Sequence, residues 1–146
     1  MGDSVGGLQN QPPQGRPHQH RIRVRYGETD VMGIAHHGSY ITWFEEARIE
    51  WLRAQGHSYR DLEAAGTGMP VIELQVRYRR PVRFDDEMVL TTTAAASGPS
   101  RVTFTTAITL DRTPICDATV TVATVDRDGR PKRIPAEILA LLSPAI

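Results

Sequence analysis

The stretch from Ser39 to Gly56 sets the terms for the rest of the chain. At about 100° per residue, Tyr40, Trp43, Phe44, Ala47, Trp51 and Ala54 fall on one broad helical face, and Ile41, Ile49 and Leu52 widen the apolar arc. A helix this apolar is buried rather than laid on a surface, so something must wrap it. Ser39 is a suitable cap at its start and Gly56 a suitable residue just past its end. Glu45 and Arg48 interrupt the arc at a spacing of three. A buried charge needs a partner, so they are expected to pair with each other.

The rest of the chain supplies the wrapping as strands. Arg21 to Tyr26 alternates, with Ile22, Val24 and Tyr26 inward against three arginines. After the long helix, His57 to Ala65 reads as a short helix capped by Ser58. Four strands follow at hairpin spacing: Val71 to Arg80, Met88 to Ala96, Arg101 to Leu110 and Ile115 to Val125. Turn residues separate them, including Phe84-Asp85-Asp86-Glu87, Ser97-Gly98-Pro99-Ser100 and Asp111-Arg112-Thr113-Pro114. Pro135 opens a C-terminal helix over Ala136 to Leu142. One long helix against a five-stranded antiparallel sheet is an α+β domain. Residues 1–20 are rich in Gly, Pro and Gln with little to bury, and read as a disordered tail that includes His18 and His20. The expected domain is 21–146.

Composition excludes several roles. The net charge is zero, which argues against a general nucleic-acid binder. No apolar run reaches membrane-spanning length, and the N-terminus lacks a basic-then-apolar signal pattern. The single cysteine, Cys116, cannot form an internal disulfide and sits in a strand-like run, as a small buried side chain rather than a nucleophile. The expected compartment is the cytoplasm.

Chemistry points to the loop before the long helix. Gly27, Gly33, Gly38 and Thr29-Asp30 break any regular pattern there. The loop brings Asp30 and the pair His36-His37 to a helix N-terminus. That terminus exposes unpaired N–H groups and a partial positive charge. Such donors can hold a carbonyl oxygen that turns negative in a transition state. A nearby carboxylate can serve as nucleophile or as general base on water. An Asp in a glycine-rich loop is also a common turn residue. Adjacent histidines do not readily share one ion, and no Cys lies nearby, so no metal site is expected.

The run RVRYGETDVMGIAHHGSYITWFEEAR resembles the signature of the 4-hydroxybenzoyl-CoA thioesterase family, in particular the acyl-CoA thioesterase branch associated with the Tol–Pal operon. The residues that carry the resemblance are Val24, Tyr26, Thr29, Asp30, Gly33, His37, Tyr40, Trp43, Phe44, Glu45, Ala47 and Arg48, without a gap. Glu28, Ala35 and Ser39 depart from the usual pattern. The resemblance implies a hotdog fold and hydrolysis of an acyl-CoA thioester. It implies Asp30 as the catalytic carboxylate and the backbone N–H of His37 as the donor that polarises the carbonyl. It further implies substrate contacts from Tyr26, Gly33 and Tyr40, and basic residues for the CoA phosphates, with Arg101, Lys132 and Arg133 as candidates. No cofactor is implied, and a homodimer or homotetramer is. Trp43, Tyr40 and Met69 are candidates to shape an acyl pocket. Two other readings are an acyl-carrier-protein thioesterase with the same Asp30 chemistry, and a non-catalytic acyl-CoA-binding protein.

Overall fold

The computed structural model describes residues 16–142. The elements, in chain order, are β1 (His18–Arg23), α1 (His37–Ala54), α2 (Tyr59–Ala64), β2 (Val71–Tyr78), β3 (Glu87–Gly98), β4 (Arg101–Leu110), β5 (Thr113–Ala123) and α3 (Ala136–Leu139). The strands form one sheet in the order β1-β3-β4-β5-β2, antiparallel throughout. The architecture is the expected α+β one, with a long helix wrapped by a five-stranded sheet.

The core follows from two periodicities. On α1, Tyr40, Trp43, Phe44, Ala47, Trp51 and Leu52 are buried. They meet alternate inward residues of the strands, among them Met88, Leu90, Val102, Phe104 and Ile108. The Trp51 ring stands edge-on to Phe104, with centroids 5.9 Å apart. Truncating an aromatic here, as in Trp51→Ala, would cost about 3–5 kcal/mol. α1 packs over β1, β3 and β4 and leaves β5 and β2 less covered. The edge strand β2 accordingly keeps Val71, Ile72 and Tyr78 exposed at 45%, 48% and 41%.

Several boundaries differ from expectation. β1 begins at His18, so His18 and His20 lie on the sheet and not in a tail. His20 Nε2 lies 2.6 Å from Glu46 Oε2 on α1, which ties the edge strand to the helix. Residues 1–15 of the expected tail lie outside the described residues. β1 ends at Arg23, and Tyr26 belongs to a single 3-10 turn (Tyr26–Glu28) with no buried residue. α1 begins at His37, so Ser39 lies inside it. β5 begins at Thr113, because Asp111 and Arg112 alone form the hairpin turn, at φ 48° and 69°. The helix α3 is shorter than expected, although Leu142 beyond it is still buried. Glu45 and Arg48 do not form an ion pair among the described residues, and Glu45 is exposed. Both face a groove beside β2, described below. Ser58 caps α2 as expected, accepting from the Asp61 N–H. Cys116 is buried in β5, and burial pushes its thiol up to about 12.

Candidate active site

Glu28 builds the loop. Its carboxylate accepts from the Arg25 backbone N–H (2.7 Å), from Arg25 Nη2 (3.0 Å) and from Trp43 Nε1 (2.8 Å). Its carbonyl accepts from the His36 N–H (3.1 Å) and from Ser39 Oγ (2.9 Å). One residue therefore fastens the loop to the start of α1 and to the indole one turn further in. Burial alone would raise the Glu28 carboxyl pKa, but the hydrogen bonds from Arg25 and Trp43 outweigh it and hold the pKa below the ordinary value.

Thr29 bridges Ala35 in a small antiparallel hairpin. Asp30 donates its N–H to the Ile34 carbonyl (2.9 Å), and its own carbonyl accepts from the Gly33 N–H (2.9 Å). Gly33 sits at φ +80°, in the left-handed region that favours glycine. Asp30 Oδ1 accepts from the Met32 N–H at 2.8 Å. The turn role is thus real, but it occupies one oxygen. Oδ2 has no partner among the described residues, and Asp30 is exposed. Opposed residues of an antiparallel pair lie about 5 Å apart, so the hairpin returns the chain from Asp30 to Ala35, two residues before the helix.

The helix start is capped by His36, whose Nδ1 accepts from the Gly38 N–H at 3.1 Å. The Ser39 N–H donates to the His36 carbonyl at 3.0 Å. The His37 N–H has no partner among the described residues. It is a free donor at the positive end of an 18-residue helix. The exposed His37 ring lies 4.6 Å from the Tyr78 ring, and the Tyr78 hydroxyl donates to the His37 carbonyl at 3.1 Å. Tyr40 lies beneath, edge-on to Tyr78 at 5.0 Å. It is buried, and burial pushes its phenol up to about 12. Tyr40 therefore supports Tyr78 rather than meeting solvent.

The other candidates divide. Gly33 and Tyr26 belong to the Asp30 loop, where Tyr26 is exposed and edge-on to Phe84 at 5.6 Å. Arg101, Lys132 and Arg133 lie elsewhere. Arg101 opens β4 beside Gly98 and Ala123, whereas the Asp30 loop is joined to the opposite end of the sheet at Arg83 and Asp86. A ten-residue strand spans about 30 Å, which is the separation along the sheet within one chain. Lys132 Nζ donates to Thr67 Oγ1 at 2.9 Å, at that same far end. Of the pocket candidates, Trp43 is core, while Met69 is buried at the far end of a groove between α1 and β2. Sequence reading missed Glu28 and Tyr78. Glu28 is one of the departures from the family pattern, and its partner is fifteen residues away. Tyr78 falls within the expected strand Val71 to Arg80, but its position over the helix start brings it to a residue 41 positions away.

Residues 24–142 match the model of the thioesterase-like superfamily. The chain belongs to that superfamily and has its hotdog fold. The chain is 32% identical to the acyl-CoA thioester hydrolase YbgC of Escherichia coli O6:H1, over 82% of this chain and 90% of that protein. Among solved structures, a hypothetical protein from Aquifex aeolicus superposes with a TM-score of 0.82 at 28% identity, covering 86% of this chain and 99% of that one. The DHNA-CoA thioesterase from Staphylococcus aureus gives 0.77 at 28% identity, covering 80% of each chain.

Proposed function

We propose that the protein is an acyl-CoA thioesterase, which hydrolyses a thioester to the free acid and CoA. One observation supports the reading: Asp30 keeps an exposed, unpartnered Oδ2 among the described residues, in a hairpin that closes at Ala35, two residues before a helix start whose first N–H, that of His37, is also unpartnered. The His37 N–H holds the thioester carbonyl oxygen as it gains charge, worth about 3 kcal/mol for one good donor. Asp30 acts on the carbonyl carbon directly or through a water, a contribution of about 10²- to 10⁴-fold for a base. The thiolate of CoA leaves. Attack by Asp30 itself would release CoA before the acid, with a burst of CoA at high enzyme concentration. Attack by water would release both together. The sequence similarity to a named acyl-CoA thioester hydrolase supports the CoA ester as substrate. The Tol–Pal-associated branch is the finer assignment, resting on the gapless match from Val24 to Arg48. The lone buried Cys116 suits the cytoplasm, and no helix among the described residues is long and apolar enough to cross a membrane.

The same reading includes a second copy. β2 is an open edge with exposed apolar side chains, the kind of edge that pairs. Antiparallel pairing of β2 with its own copy about a two-fold axis would bring the Lys132 end of one chain to the Asp30 end of the other. That arrangement answers why cations suited to CoA phosphates lie far from Asp30 within one chain. The test is CoA release from acetyl-, butyryl-, hexanoyl-, palmitoyl- and 4-hydroxybenzoyl-CoA, with sedimentation for mass. Inactivity on all of them, with turnover of acyl-carrier-protein thioesters, would move the assignment to the protein-bound substrate.

A further inference from the structure

The groove between α1 and β2 is not used by the chemistry above. β2 runs beside α1 from the helix start downward. Tyr78 meets His37 and Tyr40 at one end. Leu74 faces the groove with Ile41 and Phe44 in its middle, and Val71 faces it with Arg48 and Leu52 beyond. The groove consists of two compartments of about 240 Å³ each. The near one is walled by Ile41, Phe44, Leu74 and Val120. The far one is walled by Leu52, Tyr59, Met69 and Phe104. Glu45, Arg48 and Val71 line both, so they form the partition.

Arg48 is the odd side chain in this wall. It is half-buried, and its guanidinium makes no hydrogen bond or ion pair among the described residues. Burial lowers its pKa, opposed by the charge of Glu45 one turn away. A hydrocarbon pressed against it would strip its remaining water, which is unfavourable for an unpaired charge. Ile41 lies about one turn past His37, and Arg48 about 16 Å along the helix from it. Along α1 the near compartment is therefore closer to a carbonyl held at the His37 N–H, and the partition lies beyond it.

We infer that the near compartment is the acyl-chain subsite and that Arg48, flanked by Glu45, sets the longest chain the protein accepts. The occupant is a straight aliphatic chain of short to medium length. The inference rests on the thioesterase reading for the position of the carbonyl, yet its test does not need turnover. S-alkyl-CoA thioethers from butyl to hexadecyl bind without being hydrolysed, and calorimetry reads their affinity. In wild type the affinity rises about fourfold per added methylene and stops rising where the chain reaches Arg48. In Arg48→Met the rise continues past that point, so the longest thioethers bind at least tenfold tighter than to wild type. Arg48→Lys keeps the wild-type break. Leu74→Trp, which fills the near compartment from β2, abolishes the chain-length dependence and serves if Arg48→Met does not fold. No dependence on chain length in wild type overturns the inference, as does an unchanged break in a folded Arg48→Met or an unchanged profile in Leu74→Trp. Wild type that binds the thioethers with this profile but hydrolyses no acyl-CoA overturns the proposed function and leaves the subsite standing.

Discussion

Replacing Glu28 by Ala tests how the loop is held. The change removes three hydrogen bonds at once. Two go to Arg25 at the surface, where water replaces them and the ion pair is worth about 0–1 kcal/mol. The third leaves the indole N–H of Trp43, a fully buried side chain, without its acceptor. An orphaned buried donor costs about 1–3 kcal/mol. The sum is about 1–4 kcal/mol, which lowers Tm by roughly 3–5 °C per kcal/mol in a domain of this size. Thermal melts followed by circular dichroism measure it. The decisive comparison is a double-mutant cycle with Trp43→Phe, which has no N–H to orphan. In that background Glu28→Ala must cost about 1 kcal/mol or less. If it costs the same in both backgrounds, the indole hydrogen bond is not what fastens the loop. CoA release should fall in parallel, since Glu28 also positions the hairpin that carries Asp30.

Further outcomes follow from the same geometry. Glu28 has a folded-state pKa below its unfolded value of about 4.3, so its contribution is present above that value and lost as pH falls through the folded one. Urea midpoints taken at neutral pH and at pH about 3 should therefore drop further for wild type than for Glu28→Gln. Gly33→Ala must hold a side chain at φ +80°, which costs about 1–2 kcal/mol and disturbs the turn that ends in Asp30, so CoA release should fall more than stability alone explains. Tyr78→Phe loses only the bond to the His37 carbonyl. It should cost under about 1 kcal/mol in stability and show its effect in kcat, read by steady-state CoA release. Cys116 is buried with its thiol pushed up to about 12, so alkylating reagents should label it only after denaturation, and Cys116→Ala should keep full activity.

The fold was legible because two periodicities carried it. The apolar arc from Tyr40 to Trp51 is a surface that the structure buries, and so are alternate residues Val102, Phe104, Thr106 and Ile108 of the expected strand Arg101 to Leu110. Local chemistry was legible where one residue acts within a few positions, as Ser58 does on Asp61. It failed where the partner is distant or where two local options compete. Ser39 has a cap's chemistry, but its hydroxyl is drawn to the Glu28 carbonyl, and His36 caps the helix three residues earlier. Glu45 and Arg48 have a pair's spacing, but Glu45 is exposed and the two form no ion pair among the described residues. Asp30 was singled out by motif, and the structure shows one oxygen in the turn and the other without a partner among the described residues. Tyr78 lies 41 residues from the carbonyl it holds, and no local pattern carries such a contact.

The most direct test of the account is CoA release from the acyl-CoA panel by wild type and Asp30→Asn, with melts to show that both are folded. The variant keeps an oxygen that can accept from the Met32 N–H, so the turn survives while the negative charge is lost. The account predicts turnover of at least one acyl-CoA by wild type and a fall of about 10²-fold or more in the variant. A folded Asp30→Asn that releases CoA at the wild-type rate would contradict it.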